Sequence, residues 1–239
     1  MQETLSHYFG YETFRPGQKE IITKILDHRN TLGVLPTGGG KSICYQVPGL
    51  MLGGTTIVIS PLISLMKDQV DQLKAMGIKA AYLNSSLTQK QQKEVEQELK
   101  QGDIQFLYVA PERFENSYFL NLLRKVNIHL VAFDEAHCIS KWGHDFRPSY
   151  QSVIHRVFSL PQDFTIVALT ATATAEVQQD IMEKLNIGKN DEIKTSTKRR
   201  NLIFRVNPTY QRQKFVVDYV TSHEGQAGII YCSTRKQVE

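Results

Sequence analysis

Short apolar runs alternate with longer amphipathic segments along this chain. Each apolar run is brief, rich in β-branched or other apolar residues, and closed by a polar or turn residue, which is typical of a strand buried on both faces. The runs are TLGVLP, TTIVIS, AAYLN, IQFLYVA, HLVAFDE and FTIVALTAT. Helix-like segments such as SLTQKQQKEVEQELKQG lie between them. This alternation predicts an α/β fold with a parallel β-sheet, helices on both faces, and ligands at the carboxyl ends of the strands.

The composition is that of a globular protein. The chain has 239 residues, 41% of them hydrophobic, and a formal net charge of +4, which permits a polyanionic partner without demanding one. Cys44, Cys138 and Cys232 lack the spacing of a metal site and suit a reducing compartment. The sequence shows neither a long apolar run nor the basic and apolar start of a signal peptide. We therefore expect a soluble cytoplasmic protein without membrane contact.

The segment TGGGKS, residues 37–42, follows a predicted strand and precedes a predicted helix. Glycines let backbone N–H groups turn toward an anion, and the helix adds its positive N-terminal end. The lysine can reach outer phosphates and the serine can bind Mg²⁺. A strict P-loop would have glycine at Leu35, so an ordinary glycine-rich turn is the alternative. The predicted phosphate-binding residues are Thr37, Gly38, Gly39, Gly40, Lys41 and Ser42.

Two adjacent carboxylates, Asp134 and Glu135, end the apolar run LVAF. Carboxylates at the end of a buried strand are costly without a cation or a chemical role. Asp134 can hold Mg²⁺, and Glu135 can deprotonate an attacking water. The alternative is a strand that ends in ordinary polar surface residues. Together with the phosphate loop, this pair predicts hydrolysis of the last phosphate of a nucleotide.

The motif DEAH with PTGGGKS resembles the superfamily 2 helicases, and DEAHCISKWGHDFRPSY resembles the aromatic-rich loop of the RecQ family of DNA helicases. FRPGQ, SPLISLMKDQV, APERF and ALTATAT resemble further motifs of that family, in the expected order. The resemblance covers almost the whole chain. It implies a RecA-like P-loop domain that uses ATP and Mg²⁺, and a motor that couples ATP hydrolysis to DNA unwinding and translocation in DNA repair and recombination.

The same resemblance implies residues for the nucleotide base. Gln18 would read the adenine edge, since its amide offers both a donor and an acceptor, while Arg15 and Tyr11 would pack against the base. The alternative for FRPGQ is a turn before a helix. His137 would join the catalytic residues Lys41, Asp134 and Glu135 by linking the nucleotide site to Thr170 and Thr172. A polar cluster in the core is the alternative for His137.

The resemblance also implies a contact surface for single-stranded DNA and for junctions of duplex and single strand. In KWGHDFRP, aromatic side chains would stack on bases and basic side chains would meet the backbone, whereas core packing of the aromatics is the alternative. In SPLISLMKDQV, hydroxyls and a lysine suit phosphates, with Ser60 as an ordinary helix cap as the alternative. The predicted DNA-binding residues are Ser60, Pro61, Ser64, Lys67, Arg113, Trp142, His144, Phe146 and Arg147.

Residues 1–205 are expected to form a first helicase lobe, 206–212 a linker, and 213–239 the start of a second RecA-like lobe with AGIIYCS as a buried strand. We expect these residues alone to bind nucleotide weakly and to be inactive in unwinding, because by resemblance the remainder of a second lobe supplies the arginines that complete the site. An RNA helicase and a nucleotide-gated binding module without turnover are the rival functions. Expected partners include repair and single-strand-binding proteins, at the nucleoid if the cell is bacterial.

Overall fold

In the computed structural model, the described residues are 1–143, 145–196, 202–208 and 210–237. The chain divides into two compact units, Met1–Thr197 and Lys198–Glu239. The strands of the first unit are Thr31–Val34 (β1), Thr55–Ile59 (β2), Ala80–Leu83 (β3), Phe106–Val109 (β4), Ile128–Phe133 (β5), Thr165–Thr170 (β6) and Glu192–Lys194 (β7). Its α-helices are Gln2–Phe9 (α1), Gln18–Leu26 (α2), Ile43–Leu52 (α3), Ile63–Ala75 (α4), Gln89–Gln101 (α5), Ser117–Leu123 (α6), Pro148–Phe158 (α7) and Ala175–Lys184 (α8).

The seven strands form one sheet in the order β3-β4-β2-β5-β6-β1-β7, and every neighbouring pair is parallel. Phe133 at the end of β5 lies opposite Ala168 of β6, and Val34 at the end of β1 lies opposite Thr170 of β6. The carboxyl ends of β5, β6 and β1 therefore meet at one edge of the sheet. The predicted parallel α/β fold is confirmed.

Apolar side chains pack on both faces of this sheet. Ile57 and Ile59 of β2 belong to one hydrophobic cluster, and Val58 between them belongs to another. In β6, Ala168 belongs to the cluster of Ile57 and Ile59, and Val167 belongs to that of Val58. Successive side chains of a strand point to opposite faces, so burial of consecutive residues means that both faces are covered. This arrangement explains why the strands read as continuous apolar runs.

Two parts of the chain differ from the expectation. Strand β7 was not predicted; it has three residues, two of them charged, and pairs with β1. The second unit contains the helix Arg212–Ser222 (α9). The expected buried strand AGIIYCS is wrong, because Ile229 and Ile230 lie in irregular, exposed chain. A strand needs a hydrogen-bonding neighbour, and the described residues of this unit offer none.

In the parts of the chain that the structure describes, no helix is both long enough and apolar enough to cross a membrane.

Candidate functional site

The glycine-rich loop joins β1 to α3 at the carboxyl edge of the sheet. Gly38 and Gly40 adopt positive φ values of 77° and 75°, a region that glycine enters without steric cost. A Cβ on Gly40 would stand 2.4 Å from Nε2 of Gln18, so a larger residue there would displace the Gln18 side chain. Helix α3 begins at Ile43, directly after Ser42 at the N-cap position. The loop therefore lies at the positive end of a helix dipole, as an anion site requires.

The carboxylates Asp134 and Glu135 follow β5 and face this loop. Nζ of Lys41 lies 3.5 Å from Oε1 of Glu135. Oγ of Ser60, which follows β2, donates to Oδ2 of Asp134 at 3.5 Å. Glu135 has a φ of 46°, in the left-handed region that side chains rarely adopt. Such backbone strain persists where the surrounding structure holds it, and it frequently marks a functional site.

Burial is the main cause of an unusual protonation equilibrium at Asp134. Loss of solvation, followed by repulsion from Glu135, raises the pKa of the Asp134 carboxyl from 3.8 to about 6, although Lys41 opposes the shift. The hydroxyl of Tyr150 on α7 donates to the backbone carbonyl of Asp134 at 3.3 Å. This bond holds the turn that carries the two carboxylates. Two carboxylates that repel one another at low dielectric would be stabilised by a hard divalent cation. The residues present therefore fit Mg²⁺, with Asp134 and the hydroxyl of Ser42 as the groups that would hold it.

A short 3-10 helix, Ala136–Ile139, continues the chain from Glu135 and carries His137. Nδ1 of His137 lies 3.4 Å from Oε2 of Glu135 and 3.0 Å from Oγ1 of Thr170 at the end of β6. The Thr170 hydroxyl in turn accepts from the backbone N–H of Thr172 at 3.3 Å. These contacts join the end of β5 to the end of β6 through side chains.

Two adjoining cavities open at this edge. The first has a volume of about 220 Å³ and is lined by Tyr11, Arg15 and Gln18, among others. The second has a volume of about 270 Å³ and includes Lys41, Ser42, Asp134 and Glu135 in its lining. Gly40 and Ser42 contribute to both cavities. The residues predicted for the base and those predicted for the phosphates therefore line adjoining cavities.

Gln18 is held close to the phosphate loop. Its Oε1 accepts from the backbone N–H of Arg15 at 2.8 Å, and its Nε2 donates to the carbonyl of Gly40 at 2.9 Å and to that of Gly39 at 3.2 Å. The guanidinium of Arg15 donates to the carbonyl of Gly38. The segment FRPGQ and the loop TGGGKS, which lie far apart in the sequence, thus form one surface. The role of Gln18 in reading a base stays a prediction.

The aromatic-rich segment KWGHDFRP comes shortly after the 3-10 helix Ala136–Ile139 in the chain. The side chain of Trp142 is 75% exposed, which fits stacking on a base better than packing in the core. Phe146 and Arg147 are half-buried, and the Arg147 guanidinium donates to the carbonyl of Pro61 at 3.3 Å. His144, also predicted to contact DNA, lies outside the described residues.

The remaining predicted DNA residues divide into buried and exposed groups. Ser64 and Lys67 are exposed on α4, as a phosphate contact requires. Ser60 and Pro61 are buried, and the bond from Ser60 to Asp134 places this serine on the carboxylate side. Ser60 is also not the cap of α4, because Leu62 occupies the N-cap position and no side chain caps the helix. The contact of these residues with DNA stays a prediction.

Arg113 lies in a 3-10 helix, Pro111–Glu115, which follows β4. Its guanidinium pairs with the buried carboxylate of Glu96 on α5 and donates to Oε1 of Gln92 at 3.0 Å. It also stands 5.7 Å from the centroid of the Phe119 ring. A DNA phosphate would have to compete with these contacts for the guanidinium.

Sequence reasoning missed Tyr150, Asp180 and Lys184, which hold the turns around the site. Lys184 on α8 donates to the carbonyl of Ile139 at 3.1 Å. The pairing of Asp180 and Lys184 at i, i+4 on a helix was the available signal. Such a pair is common on helices, and its spacing says nothing about a distant loop.

Comparison with known proteins shows what the chain resembles. A family model described as DEAD/DEAH box helicase matches residues 15–181. The chain is 49% identical over 239 residues to the ATP-dependent DNA helicase RecQ of Bacillus subtilis, across 100% of this chain and 40% of that protein. It is 46% identical over 235 residues to the RecQ of Haemophilus influenzae, across 98% of this chain and 38% of that protein. The chain thus spans about 40% of the length of these curated relatives.

Solved structures share the fold at low sequence identity. The crystal structure of the DUF1998 helicase MrfA superposes with a TM-score of 0.71 at 16% identity, over 98% of this chain and 38% of that chain. That of a hypothetical ATP-dependent RNA helicase from Sulfolobus tokodaii gives a TM-score of 0.63 at 20% identity, over 82% and 57% of the two chains. These likenesses concern the RecA-like fold alone.

Proposed function

This chain belongs to the DEAD/DEAH box helicase family, and on that premise we propose that it forms the ATP-binding lobe of a RecQ-type DNA helicase. One observation carries the proposal. Lys41 follows β1, Asp134 and Glu135 follow β5, and the two segments converge at one edge of the sheet, with Lys41 and Glu135 3.5 Å apart. A cation that binds phosphate beside a carboxylate that accepts a proton is the arrangement needed for nucleotide hydrolysis.

Each side chain has a distinct role in this chemistry. Lys41 and the backbone N–H groups of the loop bind and orient the outer phosphates. Glu135 accepts a proton from the attacking water, and its left-handed backbone directs the carboxylate toward Lys41. Mg²⁺, when bound by Ser42 and Asp134, supplies positive charge beside the phosphates. Gln18 and Arg15 orient the base at the other cavity.

The DNA contact is proposed for the segment that follows Glu135. The same short 3-10 helix carries His137 at the nucleotide edge and leads to the exposed ring of Trp142. Stacking on Trp142 is independent of base identity, which suits a motor that must move along any sequence. The DNA substrates are single strands and their junctions with duplex, in repair and recombination. Repair and single-strand-binding proteins are proposed as partners, in the cytoplasm or at a bacterial nucleoid.

The domain organisation is proposed as a first lobe over residues 1–205, a linker over 206–212 and the beginning of a second lobe from 213. The division of the chain into the units Met1–Thr197 and Lys198–Glu239 supports an organisation in two parts. Unwinding requires two lobes that move relative to one another, so the motor activity is proposed for a protein that contains both.

The variant Lys41→Ala tests the proposal directly. Titration with a fluorescent ATP analogue should show a loss of affinity, because the cation that meets the outer phosphates is removed. Lys79→Ala is the matched control, since Lys79 lies on the surface in an exposed ion pair with Asp103. Equal affinities of Lys41→Ala and Lys79→Ala would reject the phosphate-binding role.

A second measurement separates DNA from RNA. Trp142 is the one tryptophan in the 239 residues, so its fluorescence reports on this segment without a label. Single-stranded DNA should change the emission at lower concentration than RNA of the same sequence. Equal responses would favour an RNA helicase, and nucleotide binding without DNA-stimulated turnover in a protein with both lobes would favour a binding module.

A further inference from the structure

Residues 139–141 connect the nucleotide edge to the aromatic-rich segment, and helix α8 holds them at several points. Nζ of Lys184 donates to the carbonyl of Ile139 at 3.1 Å. The side chain of Ser140 and the backbone N–H of Lys141 face the carboxylate of Asp180 and favour its charged form. Nζ of Lys184 also contacts Oδ2 of Asp180 at 2.8 Å. Two adjacent turns of one helix thus face three consecutive residues of the loop, and the bond from Lys184 to Ile139 joins the two directly.

The bonds continue to the tryptophan. Ser140 is fully buried, its hydroxyl accepts from the backbone N–H of Trp142 at 3.2 Å, and its side chain faces the carboxylate of Asp180. The cleft beside the Trp142 ring is lined by Asp180 together with Glu176, Gln179 and Glu183 of α8. The backbone of Trp142 is therefore bonded to a buried serine that faces Asp180.

Helix α8 is also joined to the nucleotide edge. It begins at Ala175, five residues after Thr170, which ends β6 and bonds to His137 at 3.0 Å. The side chain of Thr174 caps the helix by accepting from the N–H of Val177 at 3.4 Å. The segment from His137 to Lys141 is therefore held at one end by the end of β6 and at the other by the helix that follows β6.

An ordinary surface ion pair does not explain these contacts. An exposed i, i+4 pair contributes little, because solvent screens it and two long side chains lose freedom. The side chains of Asp180 and Lys184 are only 21% and 25% exposed, Lys184 has a second partner in the carbonyl of Ile139, and Asp180 faces Ser140 and Lys141. Burial alone raises the pKa of the Asp180 carboxyl, yet the bond from Lys184 and the polar groups of Ser140 and Lys141 bring it below its ordinary value. The ionised carboxylate is therefore the form that the loop selects.

We propose that Asp180 and Lys184 are positioning residues that fix residues 139–141 to α8 and thereby tie the DNA-contacting Trp142 to the strand that ends beside the hydrolytic carboxylates. This inference rests on the proposed function, since it takes Trp142 as a DNA contact. A change at the nucleotide edge that shifts Thr170 or His137 would move α8 and the loop together. Without the side chains of Asp180 and Lys184, residues 139–141 would no longer be held at a fixed position relative to the nucleotide site.

The experiment uses the fluorescence of Trp142 in the whole chain. The signal is recorded during titration with ATP and with single-stranded DNA, and nucleotide affinity is measured separately with a fluorescent ATP analogue. The variants are Lys184→Met, which removes the donor to Ile139 but keeps the apolar stem, and Asp180→Ala, which removes the carboxylate that pairs with Lys184 and faces Ser140 and Lys141. Asp180→Asn keeps the shape and an acceptor oxygen but removes the charge. Thermal unfolding shows which variants fold.

Glu183→Gln is the matched control. Glu183 lies on the same helix and lines the same cleft beside Trp142, and its hydrogen bond is to Gln179 of its own helix. It changes the charge near the ring by the same amount as Asp180→Asn. Any effect of charge alone on the emission of Trp142 therefore appears in both variants.

We expect Lys184→Met and Asp180→Ala to bind the ATP analogue with nearly the parental affinity but to lose most of the ATP-induced change in Trp142 emission. The factor by which ATP alters DNA affinity should fall about fivefold or more, while Glu183→Gln behaves as the parent. Lys184→Arg should restore part of the response. If Lys184→Met and Asp180→Ala fold and keep the full parental response to ATP, the positioning role is rejected. If the parent itself binds neither the ATP analogue nor DNA, the proposed function fails instead.

Discussion

Nζ of Lys41 lies 3.5 Å from Oε1 of Glu135, so the cation of the phosphate loop and the carboxylate after β5 already face one another across the edge of the sheet. The two residues are 94 positions apart in the sequence, and strand β6 separates the strands that carry them. A phosphate group bound by Lys41 would therefore stand beside the group that we expect to accept a proton. This relationship gives the first prediction.

Glu135→Gln should bind ATP with little change in affinity and hydrolyse it about 10²–10⁴-fold more slowly, because the amide keeps the shape but cannot act as a base. Single-turnover hydrolysis and binding of an ATP analogue measure the two quantities. Glu115→Gln, at an exposed position, should behave as the parent. Parental hydrolysis by Glu135→Gln would mean that another group activates the water.

Asp134 should make the stability of the fold depend on pH. Its pKa is about 6 in the folded protein, against an ordinary value of 3.8. Between pH 4 and 6 the folded protein therefore holds a proton that the unfolded chain has released. The free energy of unfolding should fall as the pH rises through this window, by on the order of 3 kcal/mol, and level off above it.

Urea unfolding of the parent and of Asp134→Asn, at pH 4.5 and at pH 7, tests this prediction. The variant should gain stability relative to the parent as the pH rises, because it has no carboxylate to ionise at the buried site. Parallel pH profiles would show that the carboxyl titrates normally.

Affinity for the complex of ATP with Mg²⁺ should also weaken below about pH 6, as Asp134 takes up its proton.

Gln18→Ala should weaken ATP binding about tenfold and reduce the preference for ATP over GTP, since one or two hydrogen bonds to the base edge are lost. The same change removes the bonds that Gln18 makes to the carbonyls of Gly39 and Gly40, so the phosphate loop loses a support as well. Competition of ATP and GTP against a fluorescent analogue measures the preference. Gln97→Ala, on the exposed face of α5, is the control. An unaltered ratio of the two affinities would assign Gln18 to the loop alone.

Trp142→Ala should lower the affinity for single-stranded DNA by about 10- to 100-fold, the range expected for one stacked base, and leave the melting temperature unchanged. The ring is 75% exposed, so its removal leaves no cavity. Tyr118→Ala removes another exposed ring, on α6, and should not alter DNA binding.

Phe146→Ala should weaken DNA-stimulated ATP turnover more than basal turnover. Equal losses of both activities with a lowered melting temperature would identify these aromatics as core residues.

Arg113→Ala should lower the free energy of unfolding on the order of 3 kcal/mol, because the buried carboxylate of Glu96 would lose its partner. Replacing both residues, as in Glu96→Leu with Arg113→Met, should recover much of the loss. Lys79→Ala, which breaks an exposed pair, should cost far less. Weaker DNA binding by Arg113→Ala without any loss of stability would instead support its assignment to DNA.

Contiguous features of the sequence predicted the elements well. The phosphate loop and the carboxylate pair are short stretches whose residue types carry their own chemistry, and β1 to β6 are apolar on both faces because helices cover the sheet. Strand β7 was not predicted, because it has only three residues and two of them are charged. The expected strand after residue 226 is wrong, because an apolar run becomes a strand only beside a partner.

Contacts between distant residues could not be predicted. Asp180 and Ser140 meet because β5 and β6 are neighbours in the sheet, so the elements that follow them are brought together. Arg113 was assigned to DNA from its motif, whereas its pairing with Glu96 arises from how α5 packs. Such pairings depend on the three-dimensional arrangement of elements, which the local pattern does not specify.

The strand order also determines which parts of this protein can change in evolution or by design. Strand β6 lies between β5, which leads to the carboxylates, and β1, which leads to the phosphate loop. The backbones of β5 and β1 are therefore two inter-strand spacings apart, about 10 Å. Backbone hydrogen bonds of the sheet fix that width, and the lengths of the surface connections do not enter it. Insertions at the opposite edge, for example beside the exposed Gly53 that precedes β2, should therefore be tolerated without any change in the geometry of the catalytic gap. A tag or a reporter domain inserted there would leave the nucleotide site its native dimensions.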